Sequence, residues 1–130
     1  MRRRVFVRPE RLAICRFPSS QPPPAWVIHS EAAFFSITRT PDELSVVCAE
    51  DDLPPSVTGA EAGWRAFSLE GPIPFNEVGV LAGIVAPLSA AGIPVFALST
   101  YDTDYVLVRE ADLARAIERL RGAFEVTASA

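Results

Sequence analysis

From Trp64 to Val126 the chain alternates β-prone runs with two helix-period stripes, and glycine or proline marks most of the junctions. Trp64–Leu69 (WRAFSL) has the composition of a strand, and Gly71-Pro72-Ile73-Pro74 breaks it. Apolar residues then recur at Val78, Leu81, Ala82, Val85 and Leu88, the i, i+3, i+4, i+7 spacing of an amphipathic helix. Asn76 can serve as its N-cap, and Glu77 suits the positive end of a helix dipole, so the helix is expected to begin near residues 76–77. Pro87 should kink it, and Gly92 should end it. Val95–Ser99 is expected as a buried strand, turned by Thr100–Thr103 into an antiparallel partner at Asp104–Val108. A second helix is expected over Glu110–Arg121, with Leu113, Ala116, Ile117 and Leu120 on one face and Gly122 at its end. Ala123–Val126 closes the order as a short strand.

The resulting order, β-α-β-β-α-β, is that of a ferredoxin-like split βαβ unit: an antiparallel sheet with its helices on one face. The first half of the chain looks like a reduced copy. Arg11–Phe17, Phe34–Thr38 and Leu44–Ala49 are strand-like, and Arg39–Glu43 makes a hairpin loop between the last two. Ala25–His29 is expected as one helical turn, entered through the stiff Pro22-Pro23-Pro24 connection. At 130 residues the chain is too short for two large cores. The expectation is therefore an α+β protein of one reduced unit, residues 10–62, and one full unit, residues 63–126, with the strand at 64–69 near their join.

Charge and motif content narrow the function. The net charge is −4, and all twelve basic residues are arginine. Arg2, Arg3 and Arg4, with Arg8 and Arg11, form the one local cluster. It reads as a solvated terminus and not as a nucleic-acid or acidic-partner surface, and no apolar signal segment follows it. Cys15 and Cys48 lie in apolar runs and are expected as buried, reduced thiols. His29, the single histidine, has no nucleophile motif beside it. Glu50-Asp51-Asp52 lacks the spaced oxygens of a calcium loop and reads as a solvated turn. Val78–Tyr101 carries no charge and is long enough to span a bilayer, but its three glycines and two prolines favour a helix followed by a strand. No metal triad, nucleophile or Gly-rich phosphate loop is present, so neither an enzyme nor a cofactor is expected.

Two stretches are distinctive: the segment Phe96–Val108 (FALSTYDTDYVLV), and Gly71-Pro72-Ile73-Pro74-Phe75 ahead of the glycine-containing helix Gly79-Val80-Leu81-Ala82. With the Thr38-Arg39-Thr40 turn between two strands, they resemble a bacterial family of small tandem ACT-domain proteins. The ACT domains of the animal cytosolic arginine sensors are similar. The resemblance covers most of residues 10–125 and is stronger in the second half. It implies a cytoplasmic, non-catalytic regulatory protein that binds an amino acid at an ACT domain interface, beside the loop into the first helix, and that pairs as a homodimer. By motif position, the ligand contacts of the arginine sensors fall on Pro74, Glu77, Thr100, Tyr101 and Asp104. Pro74 stands where that pattern has glycine, and it removes a backbone donor. Physical chemistry supports such a site: a helix N-terminus offers unpaired N–H groups to a carboxylate, and an acidic side chain can pair with an ammonium or guanidinium group. Two carboxylates, Glu77 and Asp104, make a basic amino acid the first expectation and a neutral one the second. The alternative is a protein–protein interaction module whose ligand site has decayed.

Overall fold

The computed structural model describes residues 2–128. In chain order its elements are β1 (Arg4–Phe17), α1 (Ala25–Ile28), β2 (Ser36–Arg39), β3 (Leu44–Ala49), β4 (Glu61–Leu69), α2 (Val80–Ala90), β5 (Phe96–Ser99), β6 (Asp104–Arg109), α3 (Leu113–Leu120) and β7 (Glu125–Ala128). Short 3-10 turns at Glu50–Asp52 and Glu110–Asp112 follow β3 and β6. The residues divide into two compact units. One comprises the chain up to Pro9 together with everything from Arg65 onward, and the other comprises Glu10–Trp64. Strands β1 and β4 supply residues to both. No helix among the described residues is long and apolar enough to cross a membrane.

The larger unit contains the expected order β4-α2-β5-β6-α3-β7, with the strands arranged β7, β1, β4, β6, β5. Strand alternation puts Phe67 and Leu69 of β4, and Val106 and Val108 of β6, on one face of the sheet. Ile84 and Leu88 of α2, and Ala116 and Leu120 of α3, bury against them in a single core with Val5, Ile93 and Phe124. The α+β, ferredoxin-like expectation therefore holds, with both long helices on the same face. β5 and β6 are antiparallel, with Ser99 opposite Asp104 and Phe96 opposite Leu107.

The N-terminus departs from expectation. Arg4–Pro9 is not a frayed tail but the first half of a 14-residue strand, paired parallel to β7 with Arg4 opposite Glu125 and Val7 opposite Ala128. Val5 is fully buried in the core. The alternation Val5-Phe6-Val7 carries this strand signal, and the flanking arginines mask it. The arginines themselves are tethered: Arg2 Nη1 donates to the Arg121 carbonyl, and Arg4 lies 3.6 Å from both Glu70 and Glu125.

Helix α2 also starts later than expected. Gly79 adopts φ 80, a left-handed conformation that glycine tolerates and that interrupts a helix. Asn76 and Glu77 therefore lie in the preceding loop, where Glu77 N–H donates to the Pro74 carbonyl at 3.0 Å. The buried line of the helix is rotated accordingly. Ile84 and Leu88 are buried and Leu81 and Val85 flank them, whereas Val78 is 90% exposed. The helix continues through Pro87 to Ala90. β5 lies at the edge of the strand order with alternate residues exposed, so it is a half-buried strand and not the fully buried one expected.

In the smaller unit the strands run β2, β3, β1, β4. β3 is antiparallel to both β2 and β1. Val27 of α1 packs with Ala13, Cys15, Leu44, Val46 and Cys48. Both cysteines are buried free thiols, as expected. Burial pushes the Cys48 thiol up to about 12, helped by the adjacent Cys15. The acidic turn is partnered within this unit. Glu50 accepts from Gly63 N–H at 3.0 Å and approaches Arg11, while Asp52 accepts from the Ser30 hydroxyl.

Candidate ligand-binding site

Pro72 and Pro74 have no N–H to offer a ladder, so the chain leaving β4 cannot continue as a strand. It becomes a loop held by a few specific bonds. Ile73 N–H donates to the Asp102 carbonyl at 2.7 Å, and the Thr103 hydroxyl donates to the Leu69 carbonyl at 2.6 Å. These bonds tie the loop before α2 to the turn between β5 and β6. The turn closes on itself through Thr100 N–H to the Thr103 carbonyl at 2.8 Å and Thr103 N–H to Thr100 Oγ1 at 3.2 Å. Gly71 sits where the two segments meet. A β-carbon there would lie 2.8 Å from the Asp102 carbonyl oxygen, closer than such atoms approach, so glycine is required by the packing.

Between the loop, the first turn of α2 and the start of β6 lies an open cavity of 330 Å³, at the small end of the range for small-molecule sites. Pro74, Glu77, Thr100 and Asp104 line it, together with Ser99, Thr103 and Gly79–Ala82. Tyr101 does not line this cavity. It is 80% exposed and sits edge-on to Phe75 with ring centroids 4.9 Å apart, bordering a neighbouring depression with Pro72 and Asp102. Four of the five sequence-predicted residues are thus brought to one cavity, and the fifth lies beside it.

The polar groups of the cavity differ in how far they are already engaged. The first turn of α2 has no side-chain cap, so the N–H groups of Val80, Leu81 and Ala82 are open to an anion. Asp104 accepts a hydrogen bond from Ser99 Oγ, its cross-strand neighbour. A carboxylate has about four lone-pair sites, so capacity remains for a cation. The Thr100 hydroxyl already caps its own turn. Glu77 is paired: its Oε2 accepts from Arg3 Nη2 at 2.6 Å. Sequence reasoning missed Arg3, Ser99 and Gly79. Arg3 became legible only once Val5-Phe6-Val7 was a strand, because the residue just ahead of that strand is the one that reaches Glu77 on the cavity wall. Among the described residues, no group of three or more histidine, cysteine, aspartate or glutamate side chains is positioned to hold a metal ion.

The same stretch of chain matches a known family. Residues 59–122 match the ACT domain, and residues 10–56 match a model of an N-terminal domain. The cytosolic arginine sensor for mTORC1 subunit 1 of Bos taurus is 36% identical over 107 residues, covering 75% of this chain and 32% of that protein. The Homo sapiens protein of the same name is 35% identical over the same length. The chain spans about a third of the length of these curated relatives. A solved protein from Agrobacterium tumefaciens is 36% identical with a TM-score of 0.89, covering 100% of this chain and 96% of that one. The regulatory subunit of aspartate kinase from Thermus thermophilus, at 14% identity and a TM-score of 0.60 over 93% of this chain and 95% of that one, shares the fold.

Proposed function

The chain belongs to the ACT-domain family, and on that premise we propose that it is a non-catalytic regulatory protein that senses an amino acid in the cavity beside α2. One observation carries the reading: the uncapped first turn of α2 and the Asp104 carboxylate face the same 330 Å³ space. The first suits an α-carboxylate and the second an α-ammonium, so the two ends of a zwitterion have separate partners. Glu77 and Thr100 form the wall, and Pro74 closes the loop side without contributing a donor. Tyr101 lies outside the cavity, its ring edge-on to Phe75, which lines it.

The cavity is open on one side, and a second ACT domain would close it. We assign that role to a second copy of the chain, which makes the protein a homodimer with its ligand at the interface between ACT domains. The animal relatives carry the word cytosolic in their names, and a cytoplasmic location is proposed here on that likeness.

A second reading has its own support. Phe75, Val78 and Tyr101 are 77%, 90% and 80% exposed, large apolar side chains on the loop before α2 and on the β5–β6 turn. An interaction module with a decayed ligand site would keep those side chains and lose the ligand. Thermal melting of the full chain with each of the twenty amino acids separates the two. At about 100 times its dissociation constant a ligand should add about 2.7 kcal/mol of stability. Asp104→Ala should remove the response and leave the unliganded melt unchanged. A wild-type protein that responds to none of the twenty supports the interaction module instead.

A further inference from the structure

We infer that Arg3 sets the charge selectivity of this site, neutralising Glu77 so that the cavity takes an amino acid with an uncharged side chain and disfavours a basic one. The inference rests on the amino-acid reading above and names the class of ligand. It starts from the backbone. The Arg3 carbonyl accepts from Glu125 N–H at 3.0 Å, which anchors the residue at the head of β1. From there its guanidinium reaches Glu77 Oε2 at 2.6 Å and the Glu70 carbonyl at 3.5 Å. The neighbouring arginines point elsewhere, Arg2 to the Arg121 carbonyl and Arg4 to Glu70 and Glu125. Of the three, Arg3 is the one that engages a residue lining the cavity.

The consequence follows from counting charge. Glu77 and Arg3 cancel, which leaves Asp104 as the net charge facing the cavity. A zwitterionic amino acid places its ammonium against Asp104 and its carboxylate at the first turn of α2, and both demands are then met. A further cation on the side chain would meet an ion pair already made. It would have to displace a guanidinium already bonded to Glu77 and to the Glu70 carbonyl, and like charges at that distance repel. Arg3 thus occupies, from within the chain, the partner that a basic side chain would need.

Calorimetric titration of the full-length chain with leucine, glutamine, arginine, lysine and glutamate tests this. The wild type should bind leucine or glutamine roughly tenfold or more tightly than arginine or lysine, the scale of a partly desolvated charge pair. Arg3→Gln frees Glu77 and should narrow or invert that ratio, while Arg3→Lys keeps the positive charge and should preserve it. Glu77→Gln leaves the Arg3 cation unpaired and should swing preference toward glutamate. A purely structural role for Arg3 would weaken all ligands alike and leave their ranking unmoved. If the wild type binds an amino acid but prefers arginine or lysine, or if Arg3→Gln keeps the wild-type ranking, the selectivity role is overturned and amino-acid binding stands. If the wild type binds none of the five and none of the twenty shifts its melt, the ligand site itself is overturned and this role goes with it.

Discussion

Adding one methyl group at Gly71 should damage both the fold and the site, and the structure sets the size of the effect. The new β-carbon would stand 2.8 Å from the Asp102 carbonyl oxygen and 3.3 Å from Thr103 Cβ. Neither neighbour is the flexible end of a side chain. The Asp102 carbonyl is held by Ile73 N–H at 2.7 Å, and Thr103 is held by its hydroxyl bond to Leu69 at 2.6 Å. Relief therefore requires backbone movement of several tenths of an ångström in one segment or the other, with strain on both bonds. Overpacking of this kind costs about 1–3 kcal/mol. For a chain of this size that lowers Tm by roughly 4–12 °C. Both segments line the cavity, the loop through Pro74 and Glu77 and the turn side through Thr100 and Asp104, so movement of either should lower ligand response further than stability. Gly122→Ala is the control, because its added carbon meets the Arg119 carbonyl at 3.5 Å, an ordinary contact. Differential scanning calorimetry of both variants, with and without the amino acid that shifts the wild type, gives the comparison. If Gly71→Ala melts within a degree of wild type, the tie between loop and turn is loose and the account of the site geometry is wrong.

Ile84→Ala should cost about 2–5 kcal/mol in urea unfolding, since the side chain is fully buried, and Leu81→Ala should cost less because Leu81 is partly exposed at the cavity; the reverse order would contradict the rotated face of α2. Cys48 should resist thiol reagents at pH 8 in the native state and react on unfolding, because burial disfavours its thiolate. The same shift has a sign in stability. The folded thiol stays protonated to about 12 and the unfolded one to 9.0, so its contribution is complete below pH 9 and is lost as pH rises from 9 to about 12. Cys48→Ala should flatten that alkaline loss, and an unchanged pH profile would exclude the buried thiol as its cause. Light scattering should give about twice the 14.1 kDa chain mass at micromolar concentrations; a monomer would leave the cavity without its proposed second wall.

Where local signals agreed, the fold was legible from the sequence. β3 begins and ends where LSVVCA does, and the β5–β6 hairpin follows from two β-prone runs around a turn rich in threonine and aspartate. The misreadings share a cause. Helical spacing from Val78 onward is real in sequence, but one left-handed glycine outweighs it, and periodicity cannot report a residue's φ. The N-terminal strand was hidden because its first residues pair with β7, about 120 residues away, while the local composition is that of a charged terminus. Parallel pairing of chain ends leaves no hairpin signature for a local reading to find.

The site shows the same division between local and distant information. Thr100 and Asp104 sit in one turn and strand, so their proximity is written in their spacing, and the register that places Ser99 opposite Asp104 follows from the hairpin. The charge of the cavity is not local. Counted along the sequence, Glu77 and Asp104 make two negative charges and favour a basic ligand. Counted in space, Glu77 belongs with Arg3, 74 residues earlier, and one of the two charges is already spent. A motif comparison confined to the loop, helix and turn carries the carboxylates across and leaves out the guanidinium that answers one of them. The proposed selectivity therefore depends on the residue just ahead of β1 as much as on the loop, helix and turn that resemble a binding site.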